Sequence, residues 1–152
     1  MKLKKLDKQY MKSTLKFIER IFGKGDAAVA KADFAKELNQ NKAYRLLEYY
    51  LLFKGKDIIA MTGLYSVKVH PKKIAWNAWF GVDKKYRNKG LGSRLLKWTG
   101  NKAKKSGFKY LYVVASPDAR LFYKKNGFKS SKAIKLRKFY FPRGSSLLYK
   151  KL

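Results

Sequence analysis

The sequence contains no cysteine and only one histidine among its 152 residues. The absence of cysteine excludes disulfide bonds, thiolate metal ligands and a cysteine nucleophile. Any covalent catalysis by this chain would therefore need another type of residue. The single histidine, His70, argues against a histidine-based metal cluster. We predict no metal site.

Acidic residues are also scarce, with 9 Asp and Glu against 38 Lys and Arg, and the formal net charge is +29. Residues 61–152 hold 24 of the basic residues and only 2 of the acidic ones. Such a charge attracts polyanions and disfavours polycationic acceptors such as polyamines. Two interpretations stay open: nucleic acid is a partner, or a lysine-rich proteome produces the same surface without any functional role.

Long apolar runs are missing as well. Residues 1–17 carry several lysines and contain no apolar stretch of the length that a signal peptide or a membrane-spanning helix needs. We therefore expect no transmembrane segment and a cytoplasmic location. With 46% hydrophobic residues and no repeat or linker, the sequence predicts one domain over residues 1–152.

Helical periodicity marks four segments. It predicts helices over residues 10–22, over residues 26–38 with Asp26 as the cap, over residues 91–105, and in a short segment that begins at Pro117. Each of these segments has apolar residues every three or four positions, which is typical of a helix with one buried face.

Segments rich in aromatic and β-branched residues predict the strands, which cover residues 46–53, 58–69, 74–82, 110–115, 134–141 and 147–152. The first three are joined by short turns and predict an antiparallel meander. We predict that the last two pair as a closing hairpin. The predicted fold class is α/β (α+β), with a central mixed, mostly antiparallel sheet flanked by about four helices.

The segment Arg87-Asn88-Lys89-Gly90-Leu91-Gly92 lies between a predicted strand and a predicted helix. A dinucleotide-binding fingerprint would need a third glycine at Leu95, and a Walker loop would need Gly-Lys-Ser/Thr. What remains is a basic turn whose glycines let the backbone approach an anion at a helix N-terminus. The pattern predicts a pyrophosphate-binding loop, and the alternative is that the glycines only form the turn.

Two segments, which follow each other along the chain, resemble motifs of the GCN5-related N-acetyltransferase (GNAT) superfamily. Residues 82–96 resemble its acetyl-CoA motif, Arg/Gln-x-x-Gly-x-Gly/Ala after a strand. Residues 119–128 resemble its later helix, with an alanine, a tyrosine and a terminal Gly-Phe. The resemblance implies a GNAT-like fold over nearly the whole chain. It also implies transfer of an acetyl group from acetyl-CoA, as cosubstrate, to a primary amine of an unidentified acceptor.

The resemblance further implies roles for individual residues. Tyr123 would act as the general acid that protonates the departing CoA thiolate. A backbone N–H near Val82 would stabilise the negative charge that develops on the thioester oxygen. The residues that would bind the pantetheine arm and the pyrophosphate of acetyl-CoA are Phe80, Val82, Arg87, Asn88, Lys89, Gly90, Leu91, Gly92 and Ser93.

The general base is not assigned by the resemblance. Some family members carry a glutamate on the strand before the glycine loop, whereas residues 74–82 contain no carboxylate and offer only Trp76 and Asn77 there. The candidates elsewhere are Glu48, Asp57, His70 and Asp83. A water relay, or an acceptor that arrives deprotonated, would need none of them.

Two alternatives to a general N-acetyltransferase stay open. The positive charge of residues 61–152 favours an acetyltransferase that acts on aminoacyl-tRNA, as some toxins do. The missing base, and Ser116 where the family often has asparagine, favour a non-catalytic nucleic-acid-binding module with the same fold. In that case residues 138–141, Lys-Phe-Tyr-Phe, would stack on bases. A homodimer formed through the C-terminal strands is a further expectation.

Overall fold

The computed structural model of the protein describes residues 1–131 and 142–152. In this part of the chain the order of elements is β1 (Lys2–Lys5), α1 (Met11–Phe22), α2 (Lys24–Leu38), β2 (Tyr44–Lys54), β3 (Asp57–Val67), β4 (Ile74–Val82), α3 (Leu91–Lys105), β5 (Tyr110–Ala115), α4 (Pro117–Lys125), β6 (Lys129–Ser130) and β7 (Ser146–Lys151). The predicted combination of helices with a central sheet is confirmed.

The strands form one sheet in the order β1-β2-β3-β4-β5-β7-β6. Neighbouring strands are antiparallel except β4 and β5, which run parallel. The chain reaches β5 from β4 through α3, because parallel neighbours need a crossover rather than a tight turn. The prediction of a mixed, mostly antiparallel sheet is therefore confirmed.

Helices α1 and α2 cover one face of the sheet, and α3 and α4 cover the other. Because successive residues of a strand point to opposite faces, Met61 packs with Phe17 and Phe34 on the first face. On the second face Leu64 and Leu111 belong to the core formed with α3 and α4. Burying each of these side chains contributes about 1.5–3 kcal/mol of transfer free energy.

The predicted cap of the second helix is wrong. Helix α2 begins at Lys24, and Gly23 is its N-cap residue, while Asp26 lies in the first turn. Gly23 has φ 116°, a conformation that favours glycine and lets the chain leave α1 and start α2 at once. Asp26 remains near the positive end of the helix dipole, where a carboxylate is favourable.

The short strands β1 and β6 were not predicted, because neither has an alternating pattern of its own. They form against longer neighbours, β1 along β2 and β6 along β7. The last predicted strand corresponds to β7, but its predicted partner, residues 134–141, lies outside the described residues, as do the aromatic residues of 138–141. Among the described residues, no helix combines the length and the apolar character needed to cross a membrane.

Candidate functional site

Strands β4 and β5 pair at one end and then separate. Residues 74–76 pair with residues 110–112, and among the described residues no further pairs join the two strands. Strand β4 nevertheless continues to Val82 and β5 to Ala115. The result is a wedge-shaped cleft in the middle of the sheet, closed where Trp76 lies opposite Tyr112. One wall of this cleft is a strand edge with backbone groups available to a ligand.

A β-bulge in β4 borders the cleft. Across from β3, Gly63 pairs with Ala78 and Met61 with Gly81, so two residues of β4 lie opposite one residue of β3. Trp79, one of the two, has φ 48°, which is uncommon for a residue with a side chain. Bulges of this kind bend a strand and change the direction of its backbone groups.

The last residue of β4 directs its N–H toward the cleft. The N–H of Asp83 donates to the carbonyl of Ile59 at 2.8 Å across the β3–β4 pair. Backbone groups alternate along an antiparallel pair, so the N–H and C=O of Val82 point away from β3. The Val82 carbonyl accepts a hydrogen bond from Nε of Arg87 at 2.8 Å. The Val82 N–H is left on the side where β4 and β5 separate.

The glycine loop, residues 87–92, leads from β4 into α3, and the N-terminus of this helix has no side-chain cap. Asn88 and Gly90 lie in the left-handed region, with φ 60° and 75°. Gly90 is the N-cap residue of α3, and no side chain caps this helix, which is described in full and has no acidic residue in its first turn. The N–H groups of Leu91, Gly92 and Ser93 therefore lie unopposed at the positive end of a 15-residue helix. Such an arrangement binds anions.

Close packing joins the loop to α4. A Cβ atom on Gly92 would lie 3.2 Å from the ring of Phe122, so any other residue would push this ring aside by a few tenths of an ångström. Phe122 in turn stacks on Phe80 of β4, with ring centroids 5.6 Å apart. Arg87 and Lys89 are exposed and add positive charge to the same turn. The structure thus gathers the predicted loop residues and Phe80 around the open end of the cleft.

Tyr123 is buried, with 4% of its surface exposed. Its hydroxyl donates to Oδ1 of Asn77 at 3.3 Å. The rings of Phe128 and Phe80 lie against it, with centroids at 5.3 and 6.1 Å. Burial raises the pKa of the Tyr123 phenol above its usual range, so the group stays protonated at neutral pH. Tyr123 can therefore donate a proton or a hydrogen bond, but it cannot act as a base.

Two of the four base candidates are held in ion pairs. Asp83 accepts a hydrogen bond from the N–H of Lys85 at 3.0 Å and pairs with Arg20 at 2.9 Å. The Lys85 N–H and then Arg20 lower the pKa of Asp83, which makes it a weaker base. Glu48 lies 3.5 and 3.6 Å from two lysine ammonium groups. Both carboxylates have structural partners that explain their presence.

The other two candidates are also poorly placed. His70 is buried in the turn between β3 and β4, at the opposite end of β4 from Val82. Arg45 donates to the His70 carbonyl at 3.0 Å. Burial, and then the charge of Arg45, lower the pKa of His70. Asp57 is exposed at the first position of β3. The structure brings none of the four candidates to the hydroxyl of Tyr123.

Two carboxylates on α2 were missed by the sequence reasoning. Asp33 accepts a hydrogen bond from the indole Nε1 of Trp79 at 3.0 Å and so contacts the bulged residue of β4. Glu37 is buried, and its Oε1 accepts from the N–H of Tyr49 at 3.3 Å. Burial raises the pKa of Glu37 to about 7. The signal was visible in the sequence, because Asp33 and Glu37 are four residues apart and so lie on one face of the predicted helix.

Glu37 and Glu48 line a cavity of about 430 Å³ between the C-terminal end of α2 and the start of β2. This cavity is separated from the cleft by β3, which lies between β2 and β4 in the sheet. In the described part of the chain, no group of three or more His, Asp or Glu side chains is arranged to hold a metal ion.

A family model described as an acetyltransferase (GNAT) domain matches residues 45–130, which is more than half of the chain. The chain belongs to the GNAT acetyltransferase family. The matched range runs from β2 to β6 and includes the cleft, the glycine loop and Tyr123. No curated protein matches the sequence.

Solved structures of GNAT proteins share the whole fold. A GNAT-family acetyltransferase from Staphylococcus aureus Mu50 is 20% identical and superposes with a TM-score of 0.76, over 99% of this chain and 98% of that one. GCN5 from Tetrahymena is 20% identical, with a TM-score of 0.70 over 99% and 96%. The PaiA N-acetyltransferase from Thermoplasma acidophilum, solved in complex with coenzyme A, is 14% identical, with a TM-score of 0.72 over 99% and 98%. At these identities the similarity establishes the GNAT fold.

Proposed function

We propose that this GNAT protein is an acetyl-CoA-dependent N-acetyltransferase that acetylates a primary amine by direct attack. The observation that carries the proposal is the separation of β4 and β5 directly beside an uncapped, basic helix N-terminus. A cleft with a free strand edge suits an amide-containing arm, and the helix N-terminus suits a pyrophosphate. The complex of PaiA N-acetyltransferase with coenzyme A supports the choice of cosubstrate.

Different residues around the cleft would bind different parts of acetyl-CoA. The N–H groups of Leu91 to Ser93, with Arg87, Asn88, Lys89 and Gly90, would bind the pyrophosphate, while Phe80 and Val82 would border the pantetheine arm. Acetyl-CoA supplies the activated acetyl thioester. The amine nitrogen forms the new bond to the carbonyl carbon, the carbon–sulfur bond breaks, and the amine loses one proton.

Two groups of the protein act on the charges that this reaction creates. The N–H of Val82 faces the cleft and would stabilise negative charge on the carbonyl oxygen, an effect that typically contributes about 100-fold or more to the rate. Tyr123 would donate its hydroxyl proton to the leaving sulfur as the general acid. The acceptor binds as the neutral amine, and the proton that it loses when the carbon–nitrogen bond forms passes through water and restores the Tyr123 hydroxyl.

The proposal is tested by two measurements on the full chain. Calorimetric titration with acetyl-CoA should give saturable binding, and a thiol-detection assay with a panel of peptides, small amines and charged tRNA should release CoA with at least one acceptor. Failure to bind acetyl-CoA would contradict the proposal. Binding without thiol release from any acceptor would favour the non-catalytic module instead.

A second candidate function is acetylation of the amino group of aminoacyl-tRNA. It is favoured by the basic residues of 61–152, several of which are exposed on α3 and α4, including Lys97, Lys104 and Lys124. Binding to RNA should then weaken steeply as salt increases, because each phosphate contact releases counterions. Growth arrest on expression, relieved by Tyr123→Phe, would support this acceptor; growth without arrest would argue against it.

We further propose that the chain is one domain and acts in the cytoplasm.

A further inference from the structure

The hydroxyl of Tyr123 is the last member of a buried chain of hydrogen bonds. Asn77 on β4, Thr62 on β3 and Thr99 on α3 form the rest of this chain, and they are 5%, 1% and 0% exposed. The chain of hydrogen bonds runs from α4 to α3 along the face of the sheet that these helices cover, and it ends on the backbone carbonyl of Leu95. Of these residues, only Tyr123 takes a direct part in the proposed reaction.

The direction of every hydrogen bond in this chain is fixed from the Leu95 end. Thr99 donates its only hydroxyl proton to the Leu95 carbonyl at 2.9 Å, so it can only accept from Thr62, whose oxygen lies 2.9 Å away. Thr62 has then used its own proton. It can only accept from Nδ2 of Asn77, at 3.0 Å.

The amide of Asn77 cannot be reversed. Its Nδ2 also donates to the carbonyl of Gly63 at 2.8 Å, and a carbonyl oxygen only accepts. Exchange of the amide oxygen and nitrogen would set two oxygen acceptors against each other in a buried site, which is costly. The oxygen of Asn77 therefore faces Tyr123, and the phenol must donate to it.

Resting on the proposed function, we propose that Asn77 is the positioning residue for Tyr123. Its fixed amide accepts the phenol proton and so fixes the position of the Tyr123 oxygen beside the cleft, and the O–H bond turns from Oδ1 of Asn77 to the leaving sulfur when the carbon–sulfur bond breaks. At 3.3 Å the hydrogen bond is longer than the usual 2.7–2.8 Å for a hydroxyl donor, so the proton is held without being tightly bound.

A double-mutant cycle with the acetyl-transfer assay tests this role. Asn77→Leu removes the acceptor at similar size, and we expect kcat to fall about tenfold while KM for acetyl-CoA changes less than about twofold. In the Tyr123→Phe background the same substitution should change kcat less than about twofold, because the group it positions is already gone. Asn77→Ala, which also removes the acceptor, provides the same comparison if Asn77→Leu does not fold.

Thr99→Val is the matched control. It removes the far end of the chain but leaves the contact of Asn77 with Tyr123, so it should lower stability without a comparable loss of kcat. Equal losses of kcat for Asn77→Leu in both backgrounds would overturn the inference, since a purely structural defect adds to any other. Absence of acetyl transfer by the unmodified chain would instead remove the proposed function, and with it the role of Asn77.

Discussion

Replacing Gly90 by alanine should weaken acetyl-CoA binding while it destabilises the fold only modestly. Gly90 has φ 75° and no atom within 4 Å of an added Cβ. Alanine in the left-handed region costs about 1–2 kcal/mol, which lowers the melting temperature by a few degrees. The added methyl group, however, would project into open space at the N-terminus of α3, where we expect the pyrophosphate to lie. A pyrophosphate held further from those donors should bind about 10- to 100-fold more weakly, or ~1.4–2.8 kcal/mol.

Gly107 provides a matched control for the backbone effect. It follows the other end of α3, has φ 91° and likewise has no atom within 4 Å of an added Cβ. A helix of 15 residues is about 22 Å long, so the two substitutions impose similar strain at well-separated places. Thermal unfolding should give similar losses for Gly90→Ala and Gly107→Ala. Calorimetric titration with acetyl-CoA should show weak binding only for Gly90→Ala, and equal affinities would refute the assignment of this loop.

Three further predictions concern single residues. Tyr123→Phe should leave the Kd for acetyl-CoA within about twofold and slow thiol release about 100-fold, measured with a thiol-detection assay at saturating acceptor. An unchanged rate of thiol release would contradict the role of Tyr123 as general acid. Because burial raises the pKa of Glu37 to about 7, its neutral form stabilises the fold below about pH 4.5 and this stabilisation is lost as pH rises to 7. Glu37→Gln removes this pH dependence. In urea unfolding, the free energy of unfolding of the variant relative to the unmodified chain should therefore be about 1–2 kcal/mol higher at pH 8 than at pH 5, a value that allows for solvent near the carboxylate. A pH-independent difference would contradict this. Asn88→Val should lose acetyl-CoA binding while Asn88→Gly retains it, because φ 60° is strained for a β-branched residue, and equal binding by both variants would count against this explanation.

Much of the fold could be predicted because its elements carry strong local patterns. The bounds of β4, α3 and β5 are those expected from periodicity and from the flanking glycines and prolines. The predicted start of α2 at Asp26 differs from the observed start at Lys24, because an apolar pattern does not indicate the φ of Gly23. The strand β1 has almost no pattern, and it forms only because β2 is long enough to offer it an edge.

The site was predictable only where it depends on contiguous sequence. The loop before α3 and the helix that contains Tyr123 are each a short motif, and the fold brings both to the cleft. The contact of Tyr123 with Asn77 joins residues 46 positions apart, so no local pattern indicates it. The same holds for the indole of Trp79 on Asp33, which depends on how α2 crosses the sheet.

The separation of β4 and β5 also bears on how the protein avoids aggregation. A strand edge with unpaired backbone groups is a template on which other chains can add. The outer strand β1 carries three lysines in four residues, a charge pattern that discourages such pairing. The inner edge of β4 has no such protection, but β5 pairs with it as far as Trp76 and lies across the cleft from the rest of it. A single extended chain can enter this narrow cleft, whereas β5 blocks the edge of a sheet from another molecule.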